Sequence, residues 1–266
     1  MFSDRGGRCL LKIFRLFVIV LMLSFMIGCT ETESESMDNV SLTVSAAASL
    51  TDALAEISAN FEAIHPHITL KFNFGSSGAL MQQIEQGAPV DLFFSAGEDE
   101  YDQLAEQGLI VDGLDLIGNE IVLITQRDAR APIESFADLQ NDSVKQLAIG
   151  TPDSVPVGKY AKQLLQHEKL WDNVEAKIVY TEDVRQVLSY VETGNVDAGI
   201  VYKTDAIISE KVQIVATARE GSHTPVVYPV GIVKGTKHLD EATDFFEYIQ
   251  TPSALEVLES YGFTAK

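Results

Sequence analysis

The order of hydrophobic and polar positions divides the chain into alternating strands and helices from Val40 onward. Apolar and polar residues alternate through "ITLKFNFG", which is the period of a half-buried strand. In "LTDALAEISANFEAI" the apolar residues Leu54, Ile57 and Phe61 recur at helical spacing, and Pro66 ends the pattern. Together with the strands "SLTVSAAA" and "VDLFFSA" and the helices "GALMQQIEQG" and "DEYDQLAEQG", this order predicts a βαβαβα unit. Such a unit forms a mostly parallel sheet covered by helices on both faces.

The same alternation restarts after the apolar stretch "EIVLIT". Strands are predicted for "VKQLAIG", "AKIVY", "DAGIVY" and "VQIVAT", and helices for "PVGKYAKQLLQ", "DVRQVLSYVETG" and "TDAIIS". A further apolar strand, "VVYPVGIVKG", precedes two closing helices, "LDEATDFFEYIQ" and "PSALEVLESYG". These last elements are too few for a third domain, so we expect them to return to the first unit.

We therefore predict an α/β protein of two lobes, each a mostly parallel sheet flanked by helices, with a ligand cleft between them. Lobe 1 is predicted to comprise residues 40–119 and 229–266, and lobe 2 residues 120–228. The segments near Asn119 and Tyr228 are then the crossover or hinge segments.

The first 28 residues have the pattern of a secretory signal peptide. A basic segment is followed by an apolar run from Leu16 to Ile27, which is too short to span a bilayer permanently, and then by Gly28 and Cys29. A small residue followed by cysteine at this point resembles the bacterial lipobox, whose cysteine is lipidated and becomes the mature N-terminus. The alternative is an uncleaved N-terminal anchor. Residues 29–39, polar and acidic without periodicity, are predicted to form a flexible tether.

Charge and cysteine content narrow the possible partners. The chain carries a net charge of -20, and loss of the signal removes four basic residues and one acidic residue, which leaves about -23. A nucleic-acid partner is excluded because phosphate binding relies on clustered Lys and Arg. Cys9 leaves with the signal and Cys29 would carry the lipid, so we predict neither a disulfide nor a cysteine metal site.

Four turns from strand to helix offer hydrogen-bond donors, and in α/β proteins such turns gather at the ligand-binding edge of the sheets. The first, "VSAAASLTDALAEI", contains Ser49, for which the pattern alone favours a helix cap that bonds an N–H near Asp52. The second, "FGSSGAL", contains Ser76 and Ser77, and either serine could be a nucleophile, a helix cap or part of a ligand cradle.

The other two turns belong to the second lobe. In "GTPDSVPVGKYAK", Pro156 suits the first turn of a helix and leaves the N–H groups of Val157 and Gly158 unpaired. In "YTEDVRQVL", Thr181 or Asp183 can cap the helix, while the N–H of Val184 points outward.

Tyr202 adds a phenol at the same rim, because it closes the strand "DAGIVY" at its C-terminal end. A buried structural tyrosine is the alternative. Taken together, the four turns and this phenol describe a cage of neutral donors suited to an anion. Each hydrogen bond to a charged acceptor contributes roughly 1.5–3 kcal/mol. Five or six of them, after desolvation and lobe closure, are compatible with about -8 kcal/mol, which corresponds to micromolar binding.

Three enzymatic or metal-binding alternatives are poorer matches. "GSSGA" approaches the G-x-S-x-G nucleophile elbow around Ser77, but Ala79 replaces the second glycine, and His223 would have to serve as the base. "VPVGKY" lacks the leading glycine and the trailing Ser or Thr of a nucleotide-binding P-loop. His65 and His67 in "HPH" lie at a helix-to-strand turn, where a polar connector explains them as well as a metal ligand pair does.

Seven blocks of this chain resemble the molybdate-binding proteins of ABC transporters, which are extracytoplasmic receptors. The blocks occur in that family's order and span nearly all of residues 42–266: "AAASLTDAL", "FGSSGALMQQIEQGAPVDLFFSA", "GTPDSVPVGKYA", "EDVRQVL", "GIVYKTDA", "YPVGIVKG" and "YGFTAK". The resemblance implies a two-lobed, periplasmic-binding-protein-like fold of type II and a monomer without catalysis or cofactor. It also implies delivery of the ligand to a permease with a cytoplasmic ATPase. The protein would lie in the periplasm or at the cell surface, held to the membrane by a lipid on Cys29.

The resemblance further implies a set of ligand-binding residues. In lobe 1, the hydroxyl and N–H groups of Ser49 and Ser77 would hold the oxyanion, and in lobe 2 the N–H groups of Val157 and Val184 and the hydroxyl of Tyr202 would complete the cage. The family binds tungstate as well as molybdate, without a cationic side chain. Selection would rest on size, since sulfate is a smaller tetrahedron, and on protonation, since phosphate carries a proton that needs an acceptor. The rival hypotheses are a receptor for another oxyanion such as sulfate and a secreted esterase that uses Ser77.

Overall fold

A computed structural model describes residues 39–129 and 132–265 of the chain. The predicted signal peptide 1–28, Cys29 and the predicted tether up to Asp38 lie outside the described residues. Among the described residues, no helix is both long and apolar enough to cross a membrane.

The described residues contain the following strands and helices. In chain order the strands are β1 (Val40–Ala47), β2 (Ile68–Gly75), β3 (Leu92–Phe94), β4 (Ile110–Asn119), β5 (Ile121–Gln126), β6 (Leu147–Gly150), β7 (Ile178–Thr181), β8 (Ala198–Tyr202), β9 (Val212–Thr217), β10 (Val226–Val233) and β11 (Thr264–Ala265). The helices are α1 (Thr51–Ile64), α2 (Ser77–Glu85), α3 (Glu98–Glu106), α4 (Pro156–His167), α5 (Trp171–Val174), α6 (Val184–Glu192), α7 (Lys203–Ile207), α8 (Leu239–Tyr248) and α9 (Pro252–Ser260). Short 3-10 helices occur at Ala48–Leu50, Phe136–Gln140 and Glu175–Lys177.

The strands form two sheets, one in each lobe. The first has the order β11-β4-β10-β3-β1-β2 and the second the order β7-β6-β8-β5-β9. In each sheet three strands are parallel, β2-β1-β3 and β7-β6-β8, whereas β4, β5, β9, β10 and β11 pair in antiparallel fashion. Both sheets are therefore mixed. The parallel strands follow the βα alternation of the sequence, and four of the antiparallel ones, β4, β5, β9 and β10, lie beside the chain crossings between the sheets.

Strand β4 is absent from the predicted pattern. Its sequence, "IVDGLDLIGN", contains two aspartates and two glycines, which are depleted in strands, and its first half is largely exposed. It forms because β10 supplies an antiparallel partner along its length, from Asn119 opposite Val226 to Ile110 opposite Val233. Long-range pairing decides this element, whereas local preference does not.

The chain passes between the sheets twice. Glu120 alone separates β4 in the first sheet from β5 in the second, and the return lies between Thr217 and Val226. Tyr228, near which we expected the return, lies within β10 and is paired with Ile117 of the first sheet.

The closing helices cover the first sheet. The rings of Phe61 on α1 and Phe245 on α8 meet edge to face with their centroids 5.0 Å apart, and both side chains are fully buried.

The predicted ends of α2 and α3 are confirmed at Gly87 and Gly108, where φ is 85° and 67°. Glycine adopts this left-handed conformation at little cost, which is why it ends helices.

Candidate functional site

A small cavity lies where four strand-to-helix turns meet. Its free volume is about 10 Å³, close to the minimum that holds one water molecule, so its size suits only a small ligand. Its lining is Ala47, Ala48, Ser49, Gly75, Ser76, Ser77, Ala96, Val155, Pro156, Val157, Asp183, Val184 and Tyr202. The fold therefore brings all five residues of the predicted cage together, and this lining contains neither Lys nor Arg.

Ser76 and Ser77 have different roles in the structure, one as a helix cap and the other at the cavity. Ser76 is the N-cap of α2, and its Oγ accepts a hydrogen bond from the N–H of Ala79 at 3.4 Å. Ser77, the first residue of α2 and fully buried, accepts a hydrogen bond at its Oγ from the N–H of Ala96 at 2.9 Å. An N–H can only donate, so the Ser77 hydroxyl keeps its proton for another acceptor. Ser77 is thus a donor at the cavity wall.

Ser49 does not cap α1, which corrects the expectation from pattern alone. The N-cap of α1 is Leu50, and no side chain caps it. Ser49 lies in the 3-10 helix that follows β1, and its Oγ is 2.9 Å from the Oη of Tyr228 on β10. The chain needs this extra turn before α1, and the turn redirects the serine from the helix end to the cavity.

The N-termini of α4 and α6 supply backbone donors from the second lobe. Within the described part of the chain, the backbone N–H groups of Val157 and Val184 have no hydrogen-bond partner. The backbone N–H groups of Ser49 and Ser77 have none either. Helix geometry leaves the first N–H groups of a helix unpaired and places the positive end of its dipole there. Four such groups around one small cavity form a site for negative charge.

At the start of α4 one prediction is wrong, and at the start of α6 the structure decides between two predicted caps. The N–H of Gly158, predicted to be unpaired, donates to the carbonyl of Val155 at 2.9 Å, because the first turn of α4 is tightened. Of the two candidate caps for α6, Asp183 is the cap and accepts from the N–H of Gln186 at 2.9 Å. The hydroxyl of Thr181 instead donates to the carbonyl of Asp183 at 2.9 Å.

Tyr202 lines the cavity, but its proton is directed elsewhere. Its hydroxyl donates to the carbonyl oxygen of Ala96 at 3.0 Å, and burial raises the pKa of this phenol well above its ordinary value, so it stays protonated. Tyr202 belongs to the second sheet, whereas Ala96 follows β3 of the first. This hydrogen bond therefore joins the two lobes across the cleft.

Other contacts close the cleft around the cavity. The N–H of Gly78 on α2 donates to the carbonyl of Ser154 in the second lobe at 3.0 Å. A Cβ atom on Gly78 would lie 2.6 Å from the same carbonyl oxygen, so only glycine permits this approach. Lys159 of α4 forms an ion pair with Asp99 of α3. The lobes are thus in a closed arrangement around the cavity.

Arg185 is a residue of this region that sequence reasoning missed. It forms ion pairs with Asp52 on α1 of the first lobe and with Asp205 on α7 of the second. Its Nε lies 2.9 Å from the Oδ1 of Asp205, although the angle falls short of a hydrogen bond. Its position next to Val184 in "EDVRQVL" was the available signal, but its two acidic partners lie far away in the sequence.

Asp205 is a buried carboxyl group beneath this ion pair. Its side chain is fully buried, and burial raises its pKa to about 7, even though Arg185 acts in the opposite direction. The carboxylates of Asp183 and Asp52 raise the pKa further. The charged form of Asp205 is therefore costly in the folded protein, and the guanidinium of Arg185 compensates for only part of that cost.

The enzymatic and metal-binding alternatives have no support in this geometry. A serine nucleophile needs a base within hydrogen-bond reach, and in the described chain Ser77 bonds only the N–H of Ala96. His223 instead contacts the carbonyl of Thr224 through Nδ1. His65 stacks on Phe61 with ring centroids 4.3 Å apart, and the described residues contain no group of three or more His, Cys, Asp or Glu that could hold a metal ion.

Two lobes closed over a small donor-lined cavity define the class of two-lobed solute-binding proteins. The comparisons with known proteins agree, since residues 42–264 match the family of bacterial extracellular solute-binding proteins. The chain belongs to this family, which comprises binding proteins and not enzymes.

Named relatives and a solved structure are similar to this chain over most of its length. YvgL of Bacillus subtilis (strain 168), provisionally named an ABC transporter substrate-binding lipoprotein, is 52% identical over 96% of this chain and 99% of its own. The molybdate-binding protein ModA of Haemophilus influenzae is 39% identical over 85% of this chain and 90% of its own. The structure of a periplasmic molybdate-binding protein from Azotobacter vinelandii superimposes with a TM-score of 0.77 at 24% identity, covering 85% of this chain and 99% of that one. At 24% identity the similarity to this structure concerns the fold, and it confirms the predicted two-lobed α/β architecture.

Proposed function

We propose that this protein is the extracytoplasmic receptor that binds molybdate and delivers it to an ABC permease with a cytoplasmic ATPase. Membership in the solute-binding family supports the class of protein, and the relatives named for molybdate support the ligand. Tungstate is a second ligand of the same proposal, because its tetrahedral dianion has the same charge and nearly the same size. The protein needs no cofactor for this role.

The observation that carries the proposal is a small cavity lined by available hydrogen-bond donors from both lobes. Ser77 accepts from Ala96, so its hydroxyl can give its proton to a ligand. The unpaired N–H groups of Ser49, Ser77, Val157 and Val184 add four further donors. A fully deprotonated oxyanion accepts at every oxygen, and each hydrogen bond to it contributes roughly 1.5–3 kcal/mol. Fixed neutral donors can therefore hold an anion in a protein of net charge -20.

Lobe closure is the second part of the proposal. Lobe 1 carries Ser49 and Ser77, and lobe 2 carries Val157, Val184 and Tyr202, so that only the closed form completes the cage. We further propose that Tyr202 re-aims its hydroxyl from Ala96 to the ligand, or keeps the lobes together through Ala96. The permease would recognise the closed form of the monomeric receptor.

Attachment through a lipid on Cys29 is the third part, and the lipoprotein name of YvgL supports it. Replacing Cys29 by alanine in the full chain is expected to move the protein from the membrane fraction to the soluble extracytoplasmic fraction. If the variant stays in the membrane fraction, residues 1–28 act as an uncleaved anchor instead.

A panel of oxyanions tests the ligand assignment. Molybdate at about 100 times its dissociation constant should raise the free energy of unfolding by roughly 2.7 kcal/mol, which a thermal-shift assay detects. Ser77→Ala serves as the matched site variant and should lose most of this shift. A shift with sulfate but with neither molybdate nor tungstate would identify the sulfate receptor as the correct alternative.

A further inference from the structure

A chain of side-chain hydrogen bonds leads from the crossing between the lobes to Ser49. Asn119, the last residue of β4, donates from Nδ2 to the Oη of Tyr228 at 3.2 Å and to the Oγ1 of Thr204 at 2.9 Å. Tyr228 is in turn 2.9 Å from the Oγ of Ser49. The four side chains are buried. None of Asn119, Thr204 and Tyr228 lines the cavity itself.

The direction of this chain is determined by one backbone group. The N–H of Glu120 donates to the Oδ1 of Asn119 at 2.9 Å, and an N–H can only donate. This contact fixes the amide of Asn119 with its oxygen towards Glu120 and its NH₂ towards Tyr228. The amide nitrogen cannot accept a hydrogen bond. Tyr228 must therefore accept from Asn119.

The proton of Tyr228 then has one destination. In the described structure the only other hydrogen-bond partner of this phenol is Ser49, and leaving a buried hydroxyl proton unpaired costs about 1–3 kcal/mol. Tyr228 therefore donates to the Oγ of Ser49. Burial raises the pKa of this phenol well above its ordinary value, so the proton is present at any relevant pH. Ser49 accepts this proton, so its own hydroxyl proton is available to the cavity that it lines.

We propose that Tyr228 and Asn119 are positioning residues that make Ser49 an obligate donor and so select fully deprotonated oxyanions. The proposal rests on the proposed function, since it concerns the same site. The backbone N–H of Ala96 does the same for Ser77. Within the described structure neither serine proton has an acceptor other than the ligand, so a ligand proton directed at either hydroxyl, as in hydrogen phosphate, would leave the serine proton unpaired. Molybdate, tungstate and sulfate carry no proton at neutral pH and are not penalised.

Tyr228→Phe is the variant that tests the proposal. It removes the hydroxyl and keeps the ring, which packs edge to face on Tyr202 at 5.6 Å and on Phe263 at 5.4 Å. Molybdate binding, measured by calorimetry, is expected to weaken by up to about tenfold, which is the effect of one net hydrogen bond. Tyr261→Phe is the matched control, because it removes a tyrosine hydroxyl bonded to Glu56 on the surface, and it should bind molybdate like wild type.

A double-mutant cycle distinguishes action through Ser49 from a general structural effect. In a Ser49→Ala background there is no hydroxyl to orient, so Tyr228→Phe should change molybdate affinity by less than about twofold. An equal loss in both backgrounds, or no loss in the wild-type background, would overturn the proposal. Absence of molybdate binding by the wild-type protein would instead contradict the proposed function, so that the two failures are distinguishable.

Competition by phosphate and sulfate tests the selectivity directly. In Tyr228→Phe the Ser49 hydroxyl is free to accept, so the phosphate concentration needed to displace molybdate should fall by about tenfold or more relative to the sulfate concentration. A loosened but otherwise unspecific site would change the two concentrations by the same factor, and that result contradicts the proposal. The unliganded melting temperature verifies that the variant is folded.

Discussion

The hydroxyl of Tyr202 donates to the carbonyl oxygen of Ala96 across the cleft, with 3.0 Å between the two oxygens. Ala96 uses both of its backbone groups, because its N–H donates to Ser77 in the same region. One residue of the first lobe thus connects a cage serine with the tyrosine of the second lobe. Because this hydrogen bond bridges the two lobes, Tyr202 has two possible roles. It can hold the lobes together through Ala96, or it can turn its hydroxyl to the ligand.

The size of the loss in molybdate affinity in Tyr202→Phe distinguishes these two roles. If Tyr202 mainly holds the lobes together through Ala96, losing one neutral hydrogen bond should weaken molybdate binding by up to about tenfold. If the phenol turns to the oxyanion instead, the loss of a bond to a charged acceptor should be about tenfold to a hundredfold or more. Calorimetry on this variant and on the Tyr261→Phe control distinguishes the cases. Unchanged affinity would remove Tyr202 from both roles.

Gly78→Ala should impair closure without unfolding the protein. The added methyl group would lie 2.6 Å from the carbonyl oxygen and 2.8 Å from the Cα of Ser154, so the lobes cannot approach as closely. We expect a loss of molybdate affinity of at least about tenfold, whereas the unliganded melting temperature stays close to that of wild type because alanine favours the helix.

The matched control for this prediction is Gly87→Ala, at the C-terminal end of the same helix and outside the cavity lining. Its methyl group would meet no atom within 4 Å, although a φ of 85° disfavours alanine. This variant should lose some stability but bind molybdate more tightly than Gly78→Ala. Equal binding by Gly78→Ala and wild type would show that the approach of Gly78 to Ser154 is not needed in the liganded form.

Asp205 makes stability depend on pH in a defined direction. Its pKa is about 7 in the folded protein and near 3.8 when unperturbed, so between these values the folded state holds more protons than the unfolded state. The contribution of this group to the free energy of unfolding therefore falls as the pH rises from about 4 to about 7. The difference in unfolding free energy between Asp205→Asn and wild type should grow in favour of the variant across this window, as measured by urea titrations at several pH values.

Asp138→Asn provides a comparison of opposite sign. Hydrogen bonds from Ser135 and from the backbone of Glu134 lower the pKa of the partly exposed Asp138 carboxyl group. This group stabilises the fold above its unfolded pKa and loses that effect as the pH falls, so its replacement should cost stability at neutral pH only. A flat pH profile for the Asp205→Asn difference would contradict the assigned shift.

Arg185→Met should be the more disruptive change in the same cluster. It leaves the buried carboxylate of Asp205 without its cation, and removing one partner of a buried pair costs about 3–5 kcal/mol. Arg185 is itself partly exposed, so we expect a value at the lower end. Adding Asp205→Asn to Arg185→Met should restore part of the unfolding free energy at pH 8. If the second substitution makes no difference, the ion pair is not the source of the loss.

Much of the fold and of the candidate site could be predicted from local sequence. The helix starts at Ser76 and Asp183 and the helix ends at Gly87 and Gly108 follow from interactions within four residues, and the order of β1, α1 and β2 follows from the local hydrophobic pattern. Strand β4 could not be predicted, because its aspartates and glycines disfavour a strand and only its pairing with β10 compensates. The mixed character of the sheets likewise depends on where the chain crosses between lobes.

The sequence by itself determined which turns carry donors, because an amphipathic run after a strand marks where a helix begins, and the first N–H groups of a helix have no partner within it. Only the tertiary structure decided which way the hydroxyl protons point. Ser49 meets Tyr228 across 179 positions of the chain, Tyr202 meets Ala96 across 106, and Arg185 meets Asp52 across 133. A hydroxyl both donates and accepts, so its role is set by its neighbour, and these neighbours are brought together by the order of strands in the two sheets.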